Sequence, residues 1–407
     1  MNWRQVELAN GLRLVSIERP QTPIVAVKVF VRAGSRYDRD ASGGAHLLEH
    51  LLFKGTRSRS AREIYAAIER FGGSIEGNTA KEYTRFHATL PSRHFKVGVS
   101  ILADILSAPL LAEEDFWNEK LIVLEEIQRM RDNVNFIFNL FAQAMWPHHP
   151  LRYPVWGNEK SLSNLEWSDL IAFHAQAYVT GNAVVVLCGD IKHDVVDVVD
   201  RQFAAFPMAE AQFPPIVEEQ SLTEPRLVHL EKDLFQTHLL LGFPTIGMKH
   251  QDRSALQVIE RVLGMGGSSR LFQCLREEKM LVYNAHTVMA SYKDLGYLAV
   301  YATCQPKNVP RVRDFLLQEF DGLGHYGVAN EELVRAKSNY EGALARRFET
   351  NSAIANAFGV KALLHQIEPL AEVVARIKAV TQEDVIRVAR KYFMPNQYVL
   401  TTVGRTG

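Results

Sequence analysis

Residues 43–56 read Gly-Gly-Ala-His-Leu-Leu-Glu-His-Leu-Leu-Phe-Lys-Gly-Thr, and this stretch is the most informative one in the chain. Its central part, 46–53, is rich in Leu and contains neither Gly nor Pro, which predicts a helix. On a helix, His46 and His50 lie one turn apart on the same face, with Glu49 beside them. Two imidazoles placed in this way can bind one metal ion. The alternative is a chance pattern on a buried helix.

The order of these three residues, H-x-x-E-H, reverses the thermolysin-type order and puts the carboxylate next to the second histidine. Zinc binds imidazole nitrogen and carboxylate oxygen, and a catalytic zinc site keeps one position for water. Glu49 is then well placed to take a proton from that water. A third ligand must come from elsewhere in the first half of the chain. The predicted helix around Glu119–Glu126 offers three carboxylates for this role.

Composition and charge narrow the class of protein. The 407 residues include 46 basic and 46 acidic side chains, and this balance gives no sign of a surface that binds nucleic acid. The longest apolar runs, such as Ala183–Cys188, are too short to span a bilayer, and Met1–Glu7 lacks the apolar segment of a signal peptide. Three cysteines, odd in number and far apart, are typical of reduced thiols. We therefore expect a cytoplasmic protein that has no membrane or nucleic-acid partner.

The second half of the chain repeats the first. Ala45–Phe53 aligns with Ala255–Leu263 at an offset of 255 − 45 = 210 positions. In the second copy, Leu256, Ile259 and Glu260 stand where the first copy has its two histidines and the glutamate. The repeat therefore predicts one metal-binding helix in the chain and not two.

Two domains follow from this repeat. Residues 205–224 hold several prolines among acidic and small residues, and neither neighbouring element can continue through them. We expect a zinc-binding catalytic domain at 1–210, a linker at 211–224 and a homologous repeat without metal ligands at 225–407. The predicted fold class is α+β, a tandem duplication of a domain whose mainly antiparallel sheet is covered by helices.

Local signals place individual elements within the first domain. Asn10-Gly11 lies between two alternating stretches and predicts a hairpin turn. Ser60-Ala61-Arg62-Glu63 has the pattern of a capping box and predicts the start of a helix.

With these features in place, the chain resembles the pitrilysin/insulinase family of zinc metallopeptidases. The resemblance is to its short branch, which includes mitochondrial processing peptidase and bacterial relatives. There H-x-x-E-H is followed about 75 residues later by a glutamate ligand, with another glutamate seven residues before it. Here the spacings are 126 − 50 = 76 and 126 − 119 = 7. The resemblance implies one zinc ion per chain with Glu126 as its third ligand, and Glu119 as a residue that supports the ligands. Glu125, about 100° away on the helix, is the competing ligand.

A second signature lies in the repeat. Gly266–Phe272 is followed by Arg276 and Tyr283, which are 283 − 276 = 7 positions apart. The resemblance implies that this Arg/Tyr pair holds the substrate carbonyl near the zinc ion, since such groups suit a carbonyl oxygen that becomes negatively charged. The alternative is an ordinary surface arginine and a core tyrosine.

The chain departs from the family pattern at one place. Family members often carry Asn-Ala on the strand after the Gly-Gly pair, and this chain has Glu76 and Gly77 followed by Asn78-Thr79. If this strand pairs with the substrate backbone, Glu76 adds a negative charge and Gly77 removes a side chain. The pattern therefore leaves the substrate preference open.

The predicted function is that of a zinc-dependent endopeptidase that hydrolyses peptides or unfolded segments. By resemblance, two such chains enclose a chamber, and a chain that carries both the zinc helix and the Arg/Tyr pair is expected to form a homodimer. One alternative is the zinc-bearing subunit of a heterodimeric processing peptidase. Another, from a different class, is a catalytically silent scaffold subunit that binds peptides.

Overall fold

A computed structural model describes residues 2–38, 42–191, 194–213, 215, 217–364 and 366–406. In these residues the strands are β1 (Asn2–Glu7), β2 (Arg13–Glu18), β3 (Ile24–Val31), β4 (Ser74–Thr79), β5 (Thr84–Pro91), β6 (Ala183–Gly189), β7 (Arg226–Glu231), β8 (Thr237–Ile246), β9 (Val282–Ser291), β10 (Leu295–Cys304) and β11 (Val399–Gly404). The helices are α1 (Gly44–Leu52), α2 (Ala61–Glu69), α3 (Phe95–Ser107), α4 (Glu113–Asp132), α5 (Ile137–Met145), α6 (Glu159–Asn164), α7 (Trp167–Ala177), α8 (Val195–Gln202), α9 (Arg253–Gly264), α10 (Val309–Tyr326), α11 (Asn330–Arg347), α12 (Asn351–Leu364), α13 (Leu370–Ala379) and α14 (Gln382–Tyr392). None of these helices is long and apolar enough to cross a membrane.

The first compact unit comprises Met1–Met130, Tyr153–Ile216 and Arg347–Ile367. Its six-stranded sheet has the order β1-β2-β6-β3-β5-β4, in which β2 and β6 are parallel and the other neighbours antiparallel. Helices α1, α2 and α3 pack on one face, and their apolar side chains form a core with the strands. Helix α12 covers the other face over β3 and β6. It approaches β3 so closely that a Cβ atom on Gly359 would lie 2.0 Å from the ring of Phe30.

The second compact unit comprises Arg131–Arg152, Val217–Arg346 and Glu368–Gly407. Its five-stranded sheet has the order β7-β11-β8-β10-β9, in which β7 and β11 are parallel and the other neighbours antiparallel. Helices α9, α10 and α14 pack on one face of this sheet, and α5 covers the other.

The two sheets repeat one topology. The order β2-β6-β3-β5-β4 in the first unit matches β7-β11-β8-β10-β9 in the second, with the parallel pair at the same place. Helices α1 and α9 both follow the central strand of their sheet, and they begin 253 − 44 = 209 residues apart. The predicted fold class, a duplicated α+β domain, is confirmed.

The compact units differ from the predicted domains in two segments. Residues 131–152, which include α5, belong to the second unit, although they lie in the first half of the chain. Residues 347–367, which include α12, belong to the first unit, although they lie in the second half. The physical reason is that both faces of each sheet are apolar, and the second face is covered by α12 in one unit and by α5 in the other. Within the predicted linker 211–224, Pro214 and Ile216 lie outside the described residues.

The local predictions at the start of the chain are confirmed. Strands β1 and β2 pair antiparallel on either side of the Asn10-Gly11 turn. The Ser60 side chain accepts a hydrogen bond from the backbone N–H of Glu63, and the Glu63 side chain accepts one from the backbone N–H of Ser60. This reciprocal pair is the predicted capping box at the start of α2.

Candidate metal centre

Helix α1 presents its polar face because its apolar side is buried. Its four leucines lie in the core of the first unit, and His46, Glu49 and His50 share the opposite, partly exposed face. The helix begins at a fixed place, since the two carboxylate oxygens of Asp38 accept hydrogen bonds from the backbone N–H groups of Gly43 and Ala45, each at 2.9 Å. These bonds satisfy donors that the first turn of a helix leaves without partners.

Helix α4 brings two carboxylates to this face. Oε2 of Glu126 lies 3.9 Å from Nε2 of His46, and Oε2 of Glu119 lies 2.9 Å from Nδ1 of His50. Lys54 also contacts Glu119, which is almost completely buried. The ligand atoms of His46, His50 and Glu126 lie within 4.8 Å of one another. Three residues that the sequence proposed as ligands are therefore neighbours in space.

Glu125, the competing ligand, has a different position. It lies on the exposed side of α4, whereas the group that could hold a metal ion contains Glu126. The side chains of Glu126 and Glu119, seven residues apart, point toward the two histidines of α1, as two helical turns require.

These donors fit zinc. Two imidazole nitrogens and one carboxylate oxygen form a common zinc ligand set, with one position left for water. Burial, helped by the neighbouring His50, lowers the pKa of His46 to about 4, so this imidazole is neutral at neutral pH, as a metal ligand must be. Tetrahedral zinc places its ligand atoms about 3.4 Å apart. The 3.9 Å between Nε2 of His46 and Oε2 of Glu126 is already close to this spacing.

Strand β4 binds the carboxylate of Glu49. Oε2 of Glu49 accepts a hydrogen bond from the hydroxyl group of Thr79 at 2.6 Å. Burial raises the pKa of the Glu49 carboxyl, and the hydrogen bonds from Thr79 oppose this rise. A carboxylate with a raised pKa beside a metal centre is suited to accept a proton. Sequence reasoning named Glu49 and missed Thr79, whose contact with α1 comes from the packing of a strand against a helix.

Arg276 and Tyr283 belong to the second unit. The group of His46, His50 and Glu126, called the metal group below, belongs to the first. Arg276 lies in a π-helix, Phe272–Glu278, and Tyr283 lies at the start of β9. The guanidinium carbon of Arg276 lies 5.8 Å from the centre of the Tyr283 ring. Both side chains are exposed, at 42% and 69%. Both residues therefore lie on the surface of the second unit, and Tyr283 is not a core residue.

In the repeat, helix α9 carries no metal-binding face. Leu256 and Ile259, at the positions that correspond to His46 and Glu49, are completely buried in the core of the second unit. Glu260 is largely buried next to Arg261, whose guanidinium contacts it at 3.1 Å. This position therefore serves an ion pair in the second copy.

Two models of one peptidase family match this chain. Residues 13–159 match the family model described as insulinase (peptidase family M16), and residues 164–340 match the one described as the peptidase M16 inactive domain. The metal group lies within the first match. Arg276 and Tyr283 lie within the second.

Relatives match along almost the whole chain. The uncharacterized zinc protease YmxG of Bacillus subtilis is 30% identical over 98% of this chain and 97% of its own length. An uncharacterized zinc protease of Streptomyces coelicolor is 32% identical over 95% of this chain and 86% of its own length.

Two solved structures share the fold. A protease from Helicobacter pylori has a TM-score of 0.92 at 24% identity, covering 99% of both chains. A structure from Pseudomonas fluorescens, described as a peptidase M16 inactive domain, has a TM-score of 0.92 at 21% identity, covering 100% of this chain and 98% of the other. Since the match to the relatives extends along nearly the full sequence, the chain belongs to the insulinase family of peptidases, peptidase family M16.

Proposed function

We propose that this protein is a zinc-dependent endopeptidase that hydrolyses peptides or unfolded segments. The observation that carries the proposal is the group of His46, His50 and Glu126, whose ligand atoms lie within 4.8 Å of one another. The partly buried carboxylate of Glu49 lies on the same face of α1 as the two histidines. The relatives named zinc proteases support the same activity.

In peptide hydrolysis, different side chains of this protein would bind the metal ion, transfer the proton and orient a ligand. Zinc, when bound by His46, His50 and Glu126, would act as a Lewis acid. It would lower the pKa of water toward 7 and polarise the scissile carbonyl. Glu49 accepts the proton of the attacking water and later transfers it to the leaving amine. Glu119 holds the His50 ring through the 2.9 Å contact at Nδ1.

The Arg/Tyr pair is proposed to hold the substrate. Arg276 supplies a fixed cation and Tyr283 a neutral hydroxyl donor, and both groups suit a carbonyl oxygen that gains negative charge in the transition state. Their exposure and their position on one surface of the second unit support this role.

The assembly is proposed to be a homodimer in which two chains enclose a chamber. Support comes from the sequence, since one chain carries both the zinc ligands and the Arg/Tyr pair. In the heterodimeric alternative, a related chain would replace one copy. We propose a cytoplasmic location, which the three free cysteines support, since reduced thiols are typical of that compartment.

The rival function is a peptide-binding scaffold without catalysis. One family model and one solved relative are described as inactive domains, which raises this alternative. The inactive-domain model, however, matches residues 164–340, and the metal ligands and Glu49 all lie before that range. The half of the chain that carries the metal group matches the peptidase model.

A digest of a mixed peptide library tests the proposal. The purified protein should contain about one zinc ion per chain and cleave peptides at internal bonds, and a chelator should abolish the cleavage. The matched control is Glu49→Gln, which should keep zinc and lose hydrolysis by roughly 100-fold or more, because it lacks the base. A wild-type protein that binds zinc and peptides without cleaving them would establish the scaffold instead.

A further inference from the structure

Strand β4 presents alternate residues to helix α1. Ile75 and Thr79 are buried, Gly77 between them is partly buried, and Glu76 and Asn78 are exposed on the other face. Because side chains alternate along a strand, the buried positions share the face that contacts α1. Gly77 and Thr79 therefore lie next to the polar face of the metal-binding helix.

The absence of a side chain at Gly77 leaves space for the side chain of Glu49. A Cβ atom built on Gly77 would lie 2.5 Å from Oε1 and 2.7 Å from Cγ of Glu49. The carboxylate thus lies against the backbone of β4, in space that a side chain on residue 77 would occupy. The backbone of β4 at Gly77 therefore prevents the Glu49 carboxylate from moving further toward the strand.

Thr79 holds the same carboxylate by a hydrogen bond. Its hydroxyl group, in a residue that is 8% exposed, donates to Oε2 of Glu49 at 2.6 Å. The nearby hydroxyl of Thr84 lies 3.3 Å away and donates to the backbone carbonyl of Ala33 at 2.7 Å. Thr84 can accept the Thr79 proton only over this longer distance, and the carboxylate is the nearer and stronger acceptor, so the Thr79 proton is directed to Glu49. Hydrogen bonds to a carboxylate are short and strong, and a β-branched threonine has few rotamers.

We propose that Thr79 is the positioning residue for the general base, an inference that rests on the proposed function. Its hydroxyl keeps the Glu49 carboxylate against β4, and Gly77 leaves space for the carboxylate because it has no side chain. Thr79 binds neither metal nor substrate in this role. It acts through Glu49 alone.

The test compares Thr79→Val with Thr79→Ser. Valine keeps the shape and loses the hydroxyl donor, so kcat should fall roughly 10- to 100-fold, the scale of a misplaced catalytic group. The KM, the zinc content and the melting temperature should stay near those of the wild type. Serine keeps the donor and should recover most of the lost turnover. Thr79→Ala, which also lacks the donor and adds no bulk, should behave like valine and serves if the valine variant does not fold.

A second arm shows whether Thr79 acts through Glu49. In a Glu49→Gln background, Thr79→Val should cause no further loss of activity, because residues that act as a unit are not additive. Crystals of the zinc-free Thr79→Val protein should show the Glu49 carboxylate moved away from β4, a readout that needs no activity.

The outcomes separate this inference from the function on which it rests. A wild-type protein without zinc-dependent hydrolysis overturns the proposed function and this inference with it. An active wild type with equally active Thr79→Val overturns the inference alone. The inference also fails if Thr79→Ser is as poor as Thr79→Val, or if Thr79→Val costs as much with Gln at position 49 as with Glu.

Discussion

His50 and Glu119 face each other between α1 and α4, with Nδ1 of His50 2.9 Å from Oε2 of Glu119. Glu119 is 3% exposed, so this contact is shielded from water. A carboxylate at one ring nitrogen fixes the proton there and leaves the other nitrogen, Nε2, free to bind a metal ion. The relationship accounts for a buried glutamate that is not itself among the three candidate ligands.

Replacing this carboxylate should weaken zinc binding. Glu119→Gln keeps the size of the side chain and loses its charge, and we expect zinc affinity to fall roughly 10- to 100-fold, as for other residues that orient metal ligands. Competition with a coloured chelator measures the change. The control is Glu114→Gln, an exposed glutamate in the first turn of the same helix. Equal zinc affinity of Glu119→Gln and the wild type would contradict this role.

A second pair of variants tests which α4 carboxylate binds the metal. Oε2 of Glu126 lies 3.9 Å from His46, whereas Glu125 is exposed on another side of the helix. Glu126→Gln should therefore lose most of its zinc, and Glu125→Gln should keep it, because only the first change removes a ligand. Elemental analysis of both purified variants gives the answer. The reverse result would move the ligand by one position.

Much of the site could be predicted because its spacing is local. The i and i+4 positions of His46 and His50, with Glu49 next to His50, already follow from a helix. Glu126 needed the spacing of the family, since nothing local tells which of three carboxylates on α4 faces α1. Thr79 could not be predicted, because its contact joins a strand to a helix 30 residues away in sequence.

In the fold, too, repeated sequence features could be predicted and the contacts between distant elements could not. The offset of about 210 residues predicted the duplication, and both sheets have the matching order. The exchange of α5 and α12 could not be predicted, because the sequence of an apolar helix does not say which sheet it covers. Buried residues of α12, among them Ile354 and Phe358, lie along much of the helix and give no single apolar stripe.

The burial of His174 should make the free energy of unfolding fall at acidic pH. Burial lowers its pKa to about 4 from an ordinary value of 6.5, so between these pH values the unfolded chain binds more protons. The stability contribution is complete above pH 6.5 and falls as the pH drops toward 4. At pH 5 the loss relative to pH 7 should be about 2 kcal/mol from this residue. Urea unfolding of the zinc-free protein at both pH values measures the total loss, to which His46 and His87 also contribute because burial lowers their pKa values to about 4. The share of His174 is the difference between the wild type and a variant without this ring.

The control for this prediction is His174→Phe. Phenylalanine can keep the stacking on Tyr178, whose ring centre lies 4.9 Å from that of His174, and it binds no proton. The variant should lose about 2 kcal/mol less than the wild type between pH 7 and pH 5. Identical losses in both proteins would show that the ring is protonated as easily in the folded as in the unfolded chain.

The proposed homodimer leads to a complementation experiment. If the Arg/Tyr pair of one chain completes the zinc site of its partner, Glu49→Gln lacks the base but keeps a good pair, and Arg276→Ala lacks the pair but keeps a good zinc site. Each homodimer should be nearly inactive, and loss of the arginine should lower turnover roughly 100-fold without changing the zinc content.

A mixed dimer of these two variants would contain one complete site. Co-expressed with different affinity tags and purified through both, it should regain up to about half of the wild-type activity per dimer, since one of two sites works. A chain that uses its own Arg276 would give no recovery, because each subunit would still carry one defect. A mixed dimer as inactive as its parents would therefore assign the Arg/Tyr pair to its own chain or to no part in catalysis. A protein that stays monomeric during purification would overturn the homodimer itself.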